Sequence, residues 1–352
     1  MKHLLRFAAF GGAVLALLAA SRALTRAASP ALDIYFIDVE GGQSTLFVTP
    51  SRQTLLVDTG YPERNGRDPD RIQAAMRDAG VSKIDYLLIT HMHEDHNGGA
   101  AELSRRVPIG AFVDYGELME TSLDQVASFT AYRDARDRAV QAGTARHIIP
   151  KPGDRLPLAG LDVRIVSVDG ATISAPIESA GQPNPACTSY EGRPFATREN
   201  PRSVGIHLRY GKFRALDLGD LVGQNLLRLV CPDNLIGDID AYVIAHHANA
   251  DTNMAPVLAA IRPRVAIADN GAYKGGSPPT WVGLREHKEI EGVWALHKSL
   301  NYESVNVPDA YIANLEYGDD DHAAWIKLSA SDDGSFSVTN GRTGWTERYA
   351  AK

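Results

Sequence analysis

Short apolar runs separated by turn-forming residues dominate the chain from about residue 32 onward. The runs at 33–39, 44–48, 54–58 and 85–90 have the length and composition of β-strands. The first three are close together and predict an antiparallel sheet. The segment from Asp68 to Gly80 places apolar side chains at helical spacing and predicts a helix.

The same rhythm continues to the carboxyl terminus. A long loop rich in Ser, Pro and Gly is predicted at 171–198. A charge-rich helix is predicted at 118–142, and His147 is interpreted as a packed histidine rather than a ligand. The other predicted elements are strands at 147–149, 161–168, 241–245 and 265–269, hairpins at 203–208 with 213–218 and at 325–329 with 335–339, and helices at 223–230 and 254–261.

Histidines and aspartates interrupt this pattern where apolar strands end. The segment His91-x-His93-x-Asp95-His96 directly follows the apolar run 86–89. Imidazole and carboxylate groups together suit zinc, with manganese or iron as alternatives. His91 and His93 lie two positions apart, so they point the same way from an extended segment. The competing interpretation is a solvated polar loop that opens a helix.

Further polar residues follow other strands: Asp58, Asp220, His246 and His247. Strand ends at one edge of a sheet lie together, so these residues can converge with the histidine segment. Two metals roughly 3.5–4 Å apart can hold a bridging hydroxide and polarise a carbonyl or phosphoryl oxygen. Asp220 is the predicted bridge, although an aspartate after Gly219 can also serve only a turn.

Composition and charge limit the partners. The chain has 352 residues with 44% hydrophobic content, enough for a substantial core, and no linker or repeat divides residues 28–352, which predicts one domain. The formal net charge is -7, which argues against an extended nucleic-acid groove because such a groove neutralises phosphates with Lys and Arg. A small-molecule, ester or phosphodiester substrate is what the family resemblance described below implies.

The amino terminus has the pattern of a secretory signal. Lys2 and Arg6 precede an apolar stretch at 7–20, and small residues near Ala27 suit cleavage, so residues 1–27 are predicted to be a signal peptide. The apolar stretch falls short of the about 20 residues of a membrane span. We expect a periplasmic or secreted protein without a stable span after cleavage; an uncleaved anchor is the alternative.

Two cysteines, Cys187 and Cys231, are present. In an oxidising compartment they could form one disulfide that closes a long loop. Two unpaired buried thiols are the other interpretation, and the sequence leaves the choice open.

The polar residues together resemble the metallo-β-lactamase superfamily. The segment from His91 to His96 matches its signature, and Asp58 with Gly60, Asp220 and a histidine at 246 or 247 match its other motifs in order. The resemblance covers about residue 32 to the carboxyl terminus. It implies an α+β fold, the αββα sandwich, with two mixed sheets packed face to face and helices outside.

Several segments look most like the hydrolase domain of competence-type DNA-uptake channel proteins. They are Phe36-Ile37-Asp38-Val39, Asn200-x-x-Ser203, Leu218-Gly219-Asp220-Leu221 and the pair His246-His247.

The resemblance implies a role for each residue. Two metal ions would be bound, zinc or alternatively manganese or iron, the first by His91 and His93. The second would be held by Asp95, His96 and either His246 or His247, with Asp220 as the bridge. Asp58 would orient a ligand histidine, so Asp58 and Asp95 are the predicted catalytic carboxylates. The predicted substrate contacts are Asn200, Ser203 and Asn249.

Two departures from the family pattern concern the first metal and the substrate. Many relatives supply a third histidine to the first metal from a Gly-His-Thr or Gly-His-Ser motif, which does not occur between His96 and Asp220. His207 could substitute, although a surface histidine of the hairpin is the favoured interpretation. Ala248 and Asn249 stand where the subgroup has Gly and Ser after the histidine pair.

Three functions follow from these observations. The favoured hypothesis is an exported metallohydrolase in which a metal-bound hydroxide attacks a phosphodiester or related ester. The alternative is a β-lactamase or lactonase that opens a cyclic amide or ester. The third is a non-catalytic binding domain, against which the near-complete ligand set argues, and fold resemblance alone does not choose among them.

Overall fold

The computed structural model describes residues 31–62, 64–178, 180–189, 198–252, 254–318 and 322–352. The predicted signal peptide lies outside the described residues. The strands of the described residues are β1 (Leu32–Phe36), β2 (Thr45–Val48), β3 (Thr54–Val57), β4 (Tyr86–Leu88), β5 (Ala111–Val113), β6 (Arg146–Ile148), β7 (Arg155–Leu156), β8 (Asp162–Val168), β9 (Ala171–Thr172), β10 (Gly205–Tyr210), β11 (Phe213–Asp217), β12 (Ala241–Val243), β13 (Val265–Ala268), β14 (Gly292–His297), β15 (Ile312–Asn314), β16 (Ile326–Ala330), β17 (Phe336–Asn340) and β18 (Thr346–Tyr349).

Helices connect many of these strands. They are α1 (Arg67–Asp78), α2 (Glu94–Asn97), α3 (Ala100–Arg106), α4 (Leu123–Gln141), α5 (Gly223–Leu227), α6 (Ala255–Ile261) and α7 (Pro278–Glu286). Among the described residues, none of the helices is both long and apolar enough to cross a membrane.

The strands of the described residues form two mixed sheets. One has the order β18-β17-β16-β1-β2-β3-β4-β5-β6, and the other has the order β15-β14-β13-β12-β11-β10-β8-β7, with β9 on β8. Strands β3 to β6 pair in parallel, and so do β11 to β15. The antiparallel arrangement predicted for the first three strands is confirmed for β1 to β3. Strand β4 then pairs with β3 in parallel, because α1 connects the two strands as a crossover.

The two sheets pack face to face over a shared apolar core. Ile34, Phe36 and Phe47 of the first sheet meet Ile206 and Leu208 of the second. The opposite face of the second sheet is covered by α5, α6 and α7, whose buried side chains include Leu226, Leu258 and Trp281. Helices α1 and α3 contribute Ile72 and Leu103 to the core of the first sheet. The predicted αββα sandwich is confirmed, whereas the single domain over 28–352 stays a prediction.

Several local predictions shift when the chain folds. The charge-rich helix begins at Leu123 rather than 118, because the preceding residues are held by other contacts: the backbone N–H of Met119 donates to the carboxylate of Glu199. His147 lies 3.0 Å from Asp114, as a packed histidine. The segment predicted to be a loop from residue 171 begins instead with the short strand β9.

Cys187 and Cys231 form a disulfide whose partners are separated by 44 positions in the sequence. It fastens the segment 185–189 to the turn after α5, where Cys231 follows the buried Val230. Of the two interpretations left open by the sequence, the structure therefore shows the disulfide.

Replacement of both cysteines by serine should lower the free energy of unfolding by about 2–4 kcal/mol, because the crosslink restricts a long loop of the unfolded chain. Denaturant unfolding under non-reducing conditions measures this difference. Wild-type protein treated with a thiol reductant is the control and should match the variant. Equal stability of oxidised wild type and variant would contradict the expectation.

Candidate metal centre

The predicted metal ligands, together with the predicted orienting residue Asp58, come from four strand ends that share one edge of the sandwich. Asp58 follows β3, and His91 to His96 follow β4 and run into α2. Asp220 follows β11, and His246 with His247 follow β12. Because these strands belong to the parallel portions of the two sheets, their carboxyl ends open on the same crevice, which is where ligands of α/β sheets bind.

Two groups of potential ligand atoms meet at Asp220. His91, His93 and Asp220 form the first group, and Asp95, His96, Asp220 and His247 form the second, with the atoms of each group within 4.8 Å of one another.

Individual distances within the groups are short. Nε2 of His91 lies 2.9 Å from Nδ1 of His93 and 3.7 Å from Oδ2 of Asp220. In the second group, Nε2 of His247 lies 3.2 Å from Oδ2 of Asp95 and 3.4 Å from Oδ1 of Asp220. Each carboxylate oxygen of Asp220 thus faces a different histidine, which suits a residue that bridges two ions.

The two adjacent histidines occupy different positions. His247 is fully buried and belongs to the second ligand group, whereas His246 is 20% exposed and belongs to neither group. Nδ1 of His246 lies 2.8 Å from Asp251, and its Nε2 lies 3.2 Å from Nδ2 of Asn200. The geometry therefore favours His247 as the ligand and leaves His246 facing the crevice.

The donor set fits a pair of divalent metal ions. Nitrogen and carboxylate oxygen ligands suit zinc, manganese or iron. Oδ1 of Asp220 is buried and lacks a hydrogen bond within the described residues, a state that costs stability unless a cation compensates it. The backbone is strained at the same place: His246, His247 and Ala248 all have φ between 54° and 62°, in the left-handed region that non-glycine residues avoid. The left-handed backbone at these residues directs the side chains of His246 and His247 to different positions.

Carboxylates behind the ligands orient two of the histidines. Oδ2 of Asp58 lies 2.7 Å from Nδ1 of His96, and Thr90 donates to both carboxylate oxygens of Asp58 through its backbone N–H and its hydroxyl. Glu120 reaches the outer nitrogen of His93, with Oε2 at 3.3 Å from Nε2. Such partners fix the orientation of a ligand imidazole and increase its basicity.

Lys274 carries the positive charge nearest the second ligand group. Its ammonium contacts Oδ2 of Asp95 and lies 3.3 Å from the hydroxyl of Tyr61. Although burial alone would lower the pKa of Lys274, the carboxylate of Asp95 raises it above the usual value, so the ammonium stays charged.

The buried charges set the protonation states of the ligands. Burial opposes ionisation of Asp95 and Asp220, but the attraction of neighbouring cations is larger. Lys274 and His96 hold the pKa of Asp95 well below its usual value. His247 and His96 have the same effect on the pKa of Asp220. Burial likewise opposes the charged form of His96 and His247, yet the surrounding carboxylates raise the pKa of both. Burial and the charge of His96 lower the pKa of His91, which is then neutral.

Metal binding should therefore release protons. His96 and His247 have raised pKa values and are protonated in the metal-free protein near neutral pH, while Asp95 and Asp220 are already ionised. A metal ion must displace the histidine protons, so affinity should rise with pH between 6 and 8, about tenfold per pH unit for each proton displaced. Calorimetric titration with Mn²⁺ in buffers of different ionisation enthalpy counts these protons. An apparent enthalpy independent of the buffer would contradict the expectation.

The three residues predicted to contact the substrate differ in their positions relative to the ligand groups. The side chain of Asn200 reaches His246, as noted above, but Asn200 is itself buried. Ser203 is fully buried, which speaks against direct contact of its hydroxyl with a substrate. Asn249 contacts Thr252 and Thr280 through its backbone oxygen. His207 lies on β10 and is 3% exposed, so the expectation of a surface histidine was wrong, and it belongs to neither ligand group. Burial lowers its pKa to about 4.

Sequence reasoning assigned no role to Thr90, Glu120, Asp251 or Lys274. Lys274 had a signal that could have been used: it stands in a loop with Gly271, Gly275 and Gly276, directly after a buried strand. Glu120 lies in a segment that was predicted to be helical, and nothing in its sequence neighbourhood indicates a contact with His93.

Comparison with known sequences finds a match to the part of the chain that contains the amino-terminal half of the site. The sequence model of the Metallo-beta-lactamase superfamily matches residues 38–178, which include Asp58 and the segment from His91 to His96. The chain is 36% identical over 69 residues to an atrochrysone carboxyl ACP thioesterase of Aspergillus terreus, which is 19% of this chain and 20% of that protein. It is 34% identical over 53 residues to a coenzyme F420H(2) oxidase of Methanothermobacter marburgensis, 15% of this chain and 13% of the oxidase. The chain thus spans a small part of the length of these relatives.

Two solved structures show some likeness to this chain. The metallo-beta-lactamase fold protein YhfI from Bacillus subtilis has 9% identity and a TM-score of 0.45, over 75% of this chain and 96% of that chain. CmlA, a diiron beta-hydroxylase from Streptomyces venezuelae, has 15% identity and a TM-score of 0.41, over 75% of this chain and 53% of that one. The sequence match over residues 38–178 and the two-sheet architecture built around the His91 segment show that the chain has the metallo-β-lactamase fold.

Proposed function

We propose that this protein is a metal-dependent hydrolase that cleaves a phosphodiester or a related phosphate ester. The observation that carries the proposal is the pair of ligand groups that share Asp220. The fold does not choose the reaction, because the relatives named above include a thioesterase and an oxidase. The choice of a phosphodiester is supported by the motif likeness at Asn200 and at 218–221.

The first ion would be held by His91, His93 and Asp220, and the second by Asp95, His96, Asp220 and His247. Two divalent ions at such a site activate water as a nucleophile and polarise the oxygen of the group under attack. Asp58 and Glu120 would keep His96 and His93 in the orientation that presents their lone pairs inward.

His246 is partly exposed beside these groups, and the buried Asn200 contacts its ring. The Nδ1–H group of His246 donates a hydrogen bond to the carboxylate of Asp251. Nε2 is therefore the ring atom that would face a bound substrate. For His246 to pass a proton to the oxygen of the leaving group, the ring must be the doubly protonated imidazolium, with the side-chain amide of Asn200 turned so that its oxygen rather than its nitrogen faces Nε2. A positioned proton donor contributes roughly 10²–10⁴-fold to a rate. The amide of Asn200, 3.2 Å away, would hold the imidazole in place.

A second candidate is hydrolysis of a thioester, which the local similarity to the ACP thioesterase favours. The β-lactamase or lactonase hypothesis needs the same ligand groups and differs only in the substrate. A non-catalytic binding domain would have no need of orienting carboxylates behind His93 and His96.

Parallel assays on the purified full chain test the proposal. The protein is loaded with Zn²⁺ or Mn²⁺ and given bis(p-nitrophenyl) phosphate, nitrocefin, a lactone and a thioester. We expect turnover of the phosphodiester that is abolished by His93→Ala, which controls for contaminating enzymes. Turnover of nitrocefin, the lactone or the thioester alone would overturn the choice of substrate, and failure of all four would overturn the hydrolase.

We also propose that the protein is exported to the periplasm or secreted. The signal-like pattern at 1–27 supports this proposal, and so does the Cys187–Cys231 disulfide, because such crosslinks persist mainly in oxidising compartments. Fractionation of cells that express the full chain tests it. Recovery in the cytoplasmic fraction with residues 1–27 intact would contradict it.

A further inference from the structure

The loop between β13 and α7 presses against the second ligand group. The backbone N–H of Gly276 donates to the carbonyl of His247 at 2.9 Å, and Gly275 has φ +74°. A Cβ atom at Gly275 would lie 2.0 Å from the same carbonyl, so only glycine fits there. Within the loop, Gly271 donates to the carbonyl of Lys274 at 2.9 Å. The backbone of Lys274 is therefore fixed relative to the metal ligands.

The ammonium of Lys274 contacts a carboxylate oxygen that a bound metal ion would also need as a ligand. Its ammonium contacts Oδ2 of Asp95, and this same oxygen lies 3.2 Å from Nε2 of His247 and 3.4 Å from Nε2 of His96. It is thus the oxygen that Asp95 offers to the second ligand group. An ammonium beside a divalent cation is repelled, so the two compete for this oxygen.

The alternative position of the ammonium is the crevice. The side chain of Lys274 is 35% exposed, and its ammonium already lies 3.3 Å from the hydroxyl of Tyr61 and 5.4 Å from the centre of the Tyr61 ring. The four-carbon stem of lysine is flexible, so the ammonium can swing a few ångströms while the backbone stays in place. Turned away from Asp95, it would present a positive charge beside the site where an ester is cleaved.

We propose that Lys274, with the hydroxyl of Tyr61, binds a negatively charged phosphoryl oxygen of the substrate, and that its contact with Asp95 is the metal-free position of the same ammonium. The proposal rests on the proposed function, since it names the feature by which that site selects its substrate. It makes Lys274 a specificity residue, which prefers an anionic ester over a neutral one of the same size.

Two variants and one control separate this role from a structural one. Lys274→Met keeps the length of the side chain without the charge, and Lys274→Arg keeps the charge. Lys298→Met is the matched control, because Lys298 is similarly exposed, at 34%, and its neighbour is Asp309 rather than a metal ligand. Thermal unfolding of all three variants verifies that each is folded.

The first measurement is binding to the full chain by calorimetry, without any assay of activity. Lys274→Met should bind Mn²⁺ about tenfold more tightly than wild type, because the competing cation is gone, and the metal-loaded variant should bind inorganic phosphate about tenfold more weakly. Lys274→Arg and Lys298→Met should bind phosphate like wild type. An unchanged or lowered Mn²⁺ affinity of Lys274→Met, or an unchanged phosphate affinity, would overturn the proposal.

The second measurement uses catalysis. The KM for bis(p-nitrophenyl) phosphate should rise about tenfold in Lys274→Met, whereas turnover of the neutral ester p-nitrophenyl acetate should not change. Equal effects on both esters would overturn the role in specificity. If wild type hydrolyses neither ester, the proposed function fails while the binding measurements still decide the role of Lys274.

Discussion

Asp220→Ala should bind neither metal ion firmly and should lose at least about 10³-fold in activity. Asp220 is the residue that both ligand groups share, with one oxygen near His91 and the other near His247. Loss of the stabilisation that metal ions give a developing charge, several kcal/mol, corresponds to about three powers of ten in rate. The metal content and the rate of phosphodiester cleavage are measured on the same preparation.

Asp238→Ala is the matched control for this loss. Asp238 is an exposed aspartate that pairs with Arg262 and belongs to neither ligand group, so its removal should leave metal content and rate unchanged. Circular dichroism of Asp220→Ala verifies that the variant is folded, because metal lost through unfolding would not test the shared ligand. Retention of both ions by a folded Asp220→Ala would contradict the shared ligand.

His247→Ala should lose the second metal ion, whereas His246→Ala should keep both. The two residues are adjacent, but His247 is buried against Asp95 and Asp220, and His246 is partly exposed beside Asn200 and paired with Asp251. Activity should fall in both variants for different reasons. We expect His246→Ala to lose about 10²-fold in kcat with its metals retained, because it lacks the proton donor.

A substrate with an activated leaving group separates the two effects. If His246 supplies a proton, His246→Ala should recover most of its rate on a p-nitrophenyl ester, whose leaving group needs no protonation, while His247→Ala should not. Equal metal loss in the two variants would show that both histidines are ligands and that the positions seen in the structure do not separate their roles.

The spacing from His91 to His96 contained most of the information on the site. Two histidines at a strand end and a carboxylate with a third histidine in the following turn define two neighbouring groups of ligand atoms, and the structure places them so. The rule that strand ends of one edge converge was enough to add Asp58 and Asp220. The sandwich itself followed from the family resemblance rather than from the apolar pattern.

Other features depend on contacts between distant segments. The choice between His246 and His247 is made by a left-handed backbone at both residues, which no local propensity predicts. Glu120 reaches His93 because the residues before α4 are held out of the helix, in part by the bond from Met119 to Glu199. Lys274 reaches Asp95 across 179 positions of the sequence.

The parallel parts of the sheets were also hard to see in the sequence. Strands such as β5 and β15 have three residues each, too few to show a period, and their pairing depends on neighbours far away in the chain. Longer elements with clear boundaries, such as α1 and the hairpin of β10 and β11, were predicted within a few residues.

The central claim is a site for two metal ions bridged by Asp220, and counting the bound metal tests it most directly. The full chain is stripped with a chelator, dialysed against Zn²⁺ or Mn²⁺ and measured by elemental analysis at known protein concentration. The ligand groups predict two ions per chain in wild type and one in His247→Ala. One ion or none in a folded, fully loaded wild type would contradict the account.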